Sequence, residues 1–229
     1  MEHGFDQRMP FSTRRFDPVE AVVRPSWRGR LHMWAFFVAA PISVLLIVSA
    51  NRTIARVSAA VYVTGVLLVY GTSAAYHRID HSDRARQVMR LLDHSMIFIL
   101  IAATYTPICL LGLPRSWAIP VLVVVWAGAL GGVLLKVVAF HRFQWLGYAL
   151  YPILSLAMIV ILPVLAERIT ALQLFLVVAG VVAYALGALM LKAKRPDPWP
   201  STFGYHEVWH VCTVIAGCCH FAAVGLLVR

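Results

Sequence analysis

Seven apolar stretches, each about twenty residues or more in length, run through this chain at about 32–50, 55–77, 89–112, 116–138, 144–166, 169–191 and 204–227. A helix needs roughly 20 such residues to cross the hydrocarbon core of a bilayer, about 30 Å thick. In lipid every backbone N–H and C=O must find its partner inside the protein, so runs of this pattern are helices. The connections are short, which predicts a compact up-and-down bundle. The fold class predicted is therefore an all-α membrane protein: a polar tail over 1–31, then a seven-helix transmembrane domain over 32–229. Composition agrees. The chain is 61% hydrophobic and 13% charged, against roughly 45–50% and 25% for a soluble domain.

The formal net charge is +10, and its placement orients the bundle. With the N-terminus inside, fifteen of the 20 Lys and Arg fall in the tail and in the connections after the second, fourth and sixth spans, among them Arg78, Arg84, Arg86, Arg90, Lys136, Arg142, Lys192, Lys194 and Arg195. Arg52, Arg56, Arg115, Arg168 and Arg229 fall on the other side. This bias predicts a cytoplasmic N-terminus and an outside C-terminus. Because the basic residues do not alternate with aromatics on a polar face, nucleic acid is excluded as a partner. Cys109, Cys212, Cys218 and Cys219 lie in apolar runs without CxxC pairs, which excludes a thiolate zinc site and a disulfide framework. The tail lacks the apolar core of a cleavable signal, so the first span serves as the insertion signal.

Ionisable residues inside spans are costly and usually functional. Here they are His77, Asp93, His94, His206, Glu207, His210 and His220. The second span ends inside, with His77 in its last turn and Ser73 a turn earlier. The third begins inside with Asp93 and His94, and the seventh begins inside with His206 and His210. Three helices thus lift polar groups to one cytoplasmic layer. Residues four apart share a helix face, so His206 and His210 can aim at one ion, as can Ser73 and His77. Three imidazoles with an open fourth position is a familiar zinc arrangement, although imidazole suits other transition metals too. Asp93 is placed to accept a hydrogen bond from water at the metal or to orient a histidine. Glu207 faces away from the His206–His210 side, and the run His206-Glu207-Val208-Trp209-His210 is not the HExxH of a metalloprotease. His94 and His220 are expected to make structural bonds, and His81 and His141 to be solvated loop residues.

Gly128, Gly131, Gly132, Gly180 and Gly187 are expected to let helices approach closely. Pro41, Pro107, Pro120, Pro152 and Pro163 each remove one backbone donor within a span, and Thr104 or Thr106 is expected to compensate at Pro107. The segment from Lys194 to Pro200 reads as a stiff loop.

The ordered set Ser73-Ala74-Ala75-Tyr76-His77, Asp93-His94-Ser95, Ile101-Ala102-Ala103-Thr104-Tyr105-Thr106-Pro107 and Phe203-Gly204-Tyr205-His206-Glu207-Val208-Trp209-His210, preceded by Pro25-Ser26-Trp27-Arg28-Gly29-Arg30-Leu31-His32, resembles the bacterial hemolysin III family. That family is related to the progestin and adiponectin receptors and, more distantly, to alkaline ceramidases. The resemblance covers roughly residues 25–225. It implies seven helices with a cytoplasmic N-terminus, and a zinc ion held by His77, His206 and His210. It also implies that Asp93 holds a water at the metal with Ser73 beside it. Ala103, Trp209 and the pair Tyr151-Pro152 depart from the usual pattern of the family.

Two functions fit. In the first the chain is an intramembrane zinc hydrolase of lipid amide or ester bonds, with Asp93 and Ser73 as its catalytic groups and membrane lipid as its substrate. In the second it is a non-enzymatic receptor-like, membrane-homeostasis or cytolytic protein in which zinc is a structural clamp. A pore calls for a continuous polar stripe, and a transporter for charge at the midplane; the spans show neither.

Overall fold

The computed structural model describes residues 25–79, 82–139 and 144–229. The tail residues before Pro25, with Arg8, Arg14, Arg15 and Arg24, lie outside the described residues, as do His81, His141 and Arg142. Seven helices follow in order: α1 (Arg30–Ser49), α2 (Thr53–Arg78), α3 (Asp83–Gly112), α4 (Arg115–Ala139), α5 (Gln144–Ala166), α6 (Ala171–Ala193) and α7 (Tyr205–Leu227). All are long and apolar enough to span a membrane. Their bounds track the apolar runs closely except at α3, which begins several residues before its apolar stretch. Ser82 caps it there, accepting the Ala85 N–H, and polar residues fill its first two turns.

Backbone bonds at the two ends close the bundle. At one end the N–H groups of Ser26 and Trp27 donate to the carbonyls of Ser201 and Thr202, at 3.2 and 3.1 Å, joining the entry to α1 with the loop before α7. At the other end the Asn51 N–H donates to the Val228 carbonyl at 3.3 Å. Between these ends lie two apolar clusters. Phe98, Ile108, Val125 and Ile161 centre one among α3, α4, α5 and α6. Leu46, Tyr62, Val66 and Val224 centre the other among α1, α2 and α7. Large side chains such as Leu45, Val48, Leu134 and Val138 face outward, as expected of a surface solvated by lipid tails.

The glycines divide by what they meet. A Cβ at Gly128 would lie 2.6 Å from the Leu154 side chain, and one at Gly132 would lie 2.6 Å from the Phe98 ring. Gly180 sits against His220, and Gly187 against Cys212 and Trp209. Gly131 differs from the expectation: it points outward, with nothing within 4 Å of a Cβ placed there. It is one residue, hence about 100° of helix, away from the packed face. At Pro107 the threonine hydroxyls bond elsewhere than expected. Thr104 donates to Leu100 O and Thr106 to Ala102 O, so neither reaches the Ala103 carbonyl four residues before the proline. Lys136, counted from sequence as part of a connection, lies in the last turn of α4 and is buried, its Nζ 5.8 Å from the centre of the Tyr151 ring.

This geometry separates two adjacent glycines. Gly132→Ala must push against a fully buried aromatic ring and is expected to destabilise the bundle by about 1–3 kcal/mol. Gly131→Ala is expected to stay within about 1 kcal/mol of wild type. Thermal unfolding of both variants in one detergent checks the contrast, and equal effects would contradict the packing.

Candidate metal centre

The polar groups gather at the end of the bundle where α1, α3 and α7 begin and α2 finishes. His77 occupies the last turn of α2. His206 and His210 occupy successive turns at the start of α7. One ring nitrogen from each of the three lies within 4.8 Å of those of the other two. The ring centroids are 4.9 Å apart for His77 and His206, 5.5 Å for His77 and His210, and 4.6 Å for His206 and His210. Metal–nitrogen bonds of about 2.0–2.1 Å in a tetrahedron put ligand nitrogens about 3.4 Å apart. Small side-chain rotations close that gap. Nδ1 of His210 is buried without a hydrogen bond. Buried polar atoms are normally paired, so a ring held in this way fits a ligand position. The residues present therefore fit a transition-metal ion: three imidazole donors from two helices.

Ser73 and Asp93 lie beside this cluster. Ser73 is buried one turn before His77 on α2. Asp93 is half-buried on α3, with the Ser73 side chain close to its carboxyl. His94 is not among the three. Its Nδ1 bonds Arg90 O at 2.7 Å, and its own carbonyl accepts from the Tyr151 hydroxyl at 2.7 Å. That second bond gives Tyr151 of α5, one of the departures from the family pattern, a structural purpose. His220 lies further along α7, its Nε2 bonded to Val177 O at 3.1 Å, a helix-joining role as expected.

Glu207 has an architectural task. It is fully buried, and one carboxylate oxygen accepts the Gly204 N–H at 2.9 Å, fixing the first turn of α7. The other accepts from Arg28 Nε at 2.6 Å. A carboxylate at a helix N-terminus is favoured by the exposed N–H groups there, and the guanidinium offsets the remaining charge. Asp197 assists by accepting the Tyr205 N–H at 2.9 Å. The two ligand histidines of α7 thus ride on a turn held from both sides.

Two of these residues were missed from sequence. His32, in the first turn of α1, is buried with its ring stacked on that of His210, centroids 3.8 Å apart and planes 14° apart. Arg28 was counted only as tail charge. The depth argument applied to the other helices finds His32 as well, because α1 also starts at this end.

A seven-span helical membrane protein with a three-histidine cluster between two of its helices, able to hold a metal ion, is the class that fold and site define. Comparison with known proteins places it more closely. The model of the haemolysin-III related family matches residues 21–221, and the chain belongs to that family. Hemolysin-3 of Bacillus cereus is 31% identical over 176 residues, covering 75% of this chain and 76% of the relative. The Hemolysin-3 homolog of Bacillus subtilis is 30% identical over 168 residues, 72% and 76% of the two chains. The heptahelical transmembrane protein ADIPOR2 of Oryza sativa is 29% identical over 191 residues, 74% and 81% of the two, which fits the progestin and adiponectin receptor superfamily. This is a multi-pass bacterial membrane protein.

Metal binding is directly measurable. Purified protein is expected to carry about one transition-metal ion per chain, and His206→Ala close to none, because a site missing one of three ligands loses most of its affinity. Elemental analysis by mass spectrometry checks this. Wild-type metal content in the variant would remove the cluster as the binding site.

Proposed function

We propose that the chain is a zinc-dependent hydrolase acting on an amide or ester bond of a membrane lipid. The observation that carries the proposal is the set of three imidazole ligand atoms within 4.8 Å of one another, with the Ser73 and Asp93 side chains close together on α2 and α3. Catalytic zinc sites characteristically take three protein ligands and keep a position open, whereas structural sites close all four. His77, His206 and His210 would hold the ion. When bound, it supplies a Lewis acid that polarises a carbonyl and lowers the pKa of water toward about 7.

The remaining chemistry belongs to the chain. The Asp93 carboxylate accepts the proton of the attacking water and returns it to the departing amine or alcohol. The Ser73 hydroxyl orients that carboxylate and can turn to steady the oxyanion. The site lies at one end of the bundle, where α1, α3 and α7 begin and α2 finishes, so a lipid substrate would reach it from one leaflet with its acyl chains still in the membrane. With the N-terminus inside, that leaflet is the cytoplasmic one. A C-terminal alkaline phosphatase fusion is then expected to be active and a fluorescent-protein fusion there dark; the opposite pattern reverses the orientation.

One observation favours a second reading. The backbones of α2 and α7 come close at few places, and the Tyr62 and Tyr70 hydroxyls bridge them further along, so an ion shared by His77 and the two α7 histidines would add a clamp at this end in a receptor-like or cytolytic protein. The readings separate at one residue. Asp93→Asn is expected to keep its metal and thermal stability but to lose about 10²–10⁴-fold in turnover, measured on a panel of ceramides, N-acyl lipids and phospholipid esters. A zinc-loaded wild type inert across that panel would favour the clamp.

A further inference from the structure

The start of α1 touches every ligand-bearing part of the centre. Arg28 bonds Glu207, the neighbour of His206. Gly29, at φ 77°, lets the chain turn so close to α2 that a Cβ there would fall 2.6 Å from Cβ of His77. His32 lies face to face with His210, centroids 3.8 Å apart. This last contact is the most directional. His77 and His206 meet His210 with ring planes inclined by 55° and 67°, so only His32 lies flat against it. A flat ring at that distance leaves His210 no freedom to swing toward α1.

His32 is itself fixed. Its Nε2 lies 2.8 Å from Thr213 Oγ1, and that hydroxyl lies 2.8 Å from His210 O. A carbonyl cannot donate and a threonine has one proton. Both contacts are hydrogen bonds only if Thr213 donates to the His210 carbonyl and accepts from His32. Nε2 of His32 therefore carries a proton, and the ring is held in one rotation by the same turn of α7 that bears His210.

We propose that His32 is a positioning residue for the metal centre: its ring, anchored through Thr213, sets the plane of His210 so that the three imidazoles meet at one ion. Outer contacts of this kind typically alter metal affinity 10–100-fold. The inference rests on the metal-binding part of the proposed function and not on hydrolysis.

The test compares full-length His32→Ala, His32→Phe and Thr213→Val with wild type. Zinc affinity is read by chelator competition, cobalt coordination by its visible absorption, and stability by unfolding of the metal-free protein. His32→Ala is expected to bind zinc about 10–100-fold more weakly with a changed cobalt spectrum. His32→Phe, which keeps a flat ring but loses the bond to Thr213, should fall between His32→Ala and wild type in affinity. A residue that only stabilised the bundle would lower metal-free stability and leave the cobalt spectrum alone. An unchanged spectrum and affinity in His32→Ala, or no recovery in His32→Phe, overturns the proposal. Should His32→Ala fail to fold, Thr213→Val decides, since it releases the ring without removing it: a shifted cobalt spectrum supports the proposal and an unshifted one ends it. A wild type that binds neither ion would sink the underlying metal reading as well, and so tells the two failures apart.

Discussion

A polar side chain without a partner in an apolar interior costs several kcal/mol, and this constraint organises the molecule. Most of the inward surface avoids the cost by being hydrocarbon. The hydroxyls of Tyr62 and Tyr70 meet it singly, each donating to a backbone carbonyl of α7. At one end the chain instead groups its demands. Glu207 is answered by Arg28 and by a helix-start N–H, and His32 by Thr213. Beside them sits the cluster His77, His206 and His210, with one ring nitrogen of each within 4.8 Å of the others. Neutral imidazoles packed together do little for each other, whereas around a cation each lone pair is used.

The height of each ligand was legible because lipid imposes it. Span bounds follow from apolar runs, alternation follows from short connections, and a histidine at the end of the second run must then lie level with histidines at the start of the seventh. Rotation about each helix axis was legible only where the sequence offered two points on one face, as His206 and His210 do. Gly131 shows the limit: one residue from Gly132, it reads as the same small-residue patch but faces outward. Lys136 shows another. A lysine near a span end reads as a solvated charge, yet its stem lies against Gly147, and no local signal announces that packing.

Arg28 and His32 escaped notice for a different reason. Both lie at the junction between a polar tail and the first apolar run, where sequence pattern marks a boundary and says nothing of contact. Their partners, Glu207 and His210, are nearly the full length of the chain away. Pairings at such separations are set by closure of the bundle, which brings α1 beside α7, and closure is a property of the packed molecule.

That closure bears on how the centre relates to the rest of the fold. α2 and α7 supply the ligands and α3 the carboxylate, but the entry to α1 lies across them all. Its backbone is tied to the loop before α7, its arginine to the turn that carries two ligands, and its first helical turn to the face of one of them. A site assembled in this way is complete only when the first and last helices have met. Metal affinity and bundle closure are then linked, because an ion that binds the closed form and not an open one stabilises closure by mass action. The same linkage works in reverse: loosening the α1 entry weakens the site without touching a ligand. Whether an ion held there would perform chemistry or tie helices together, the contacts at the start of α1 would govern how firmly it is kept.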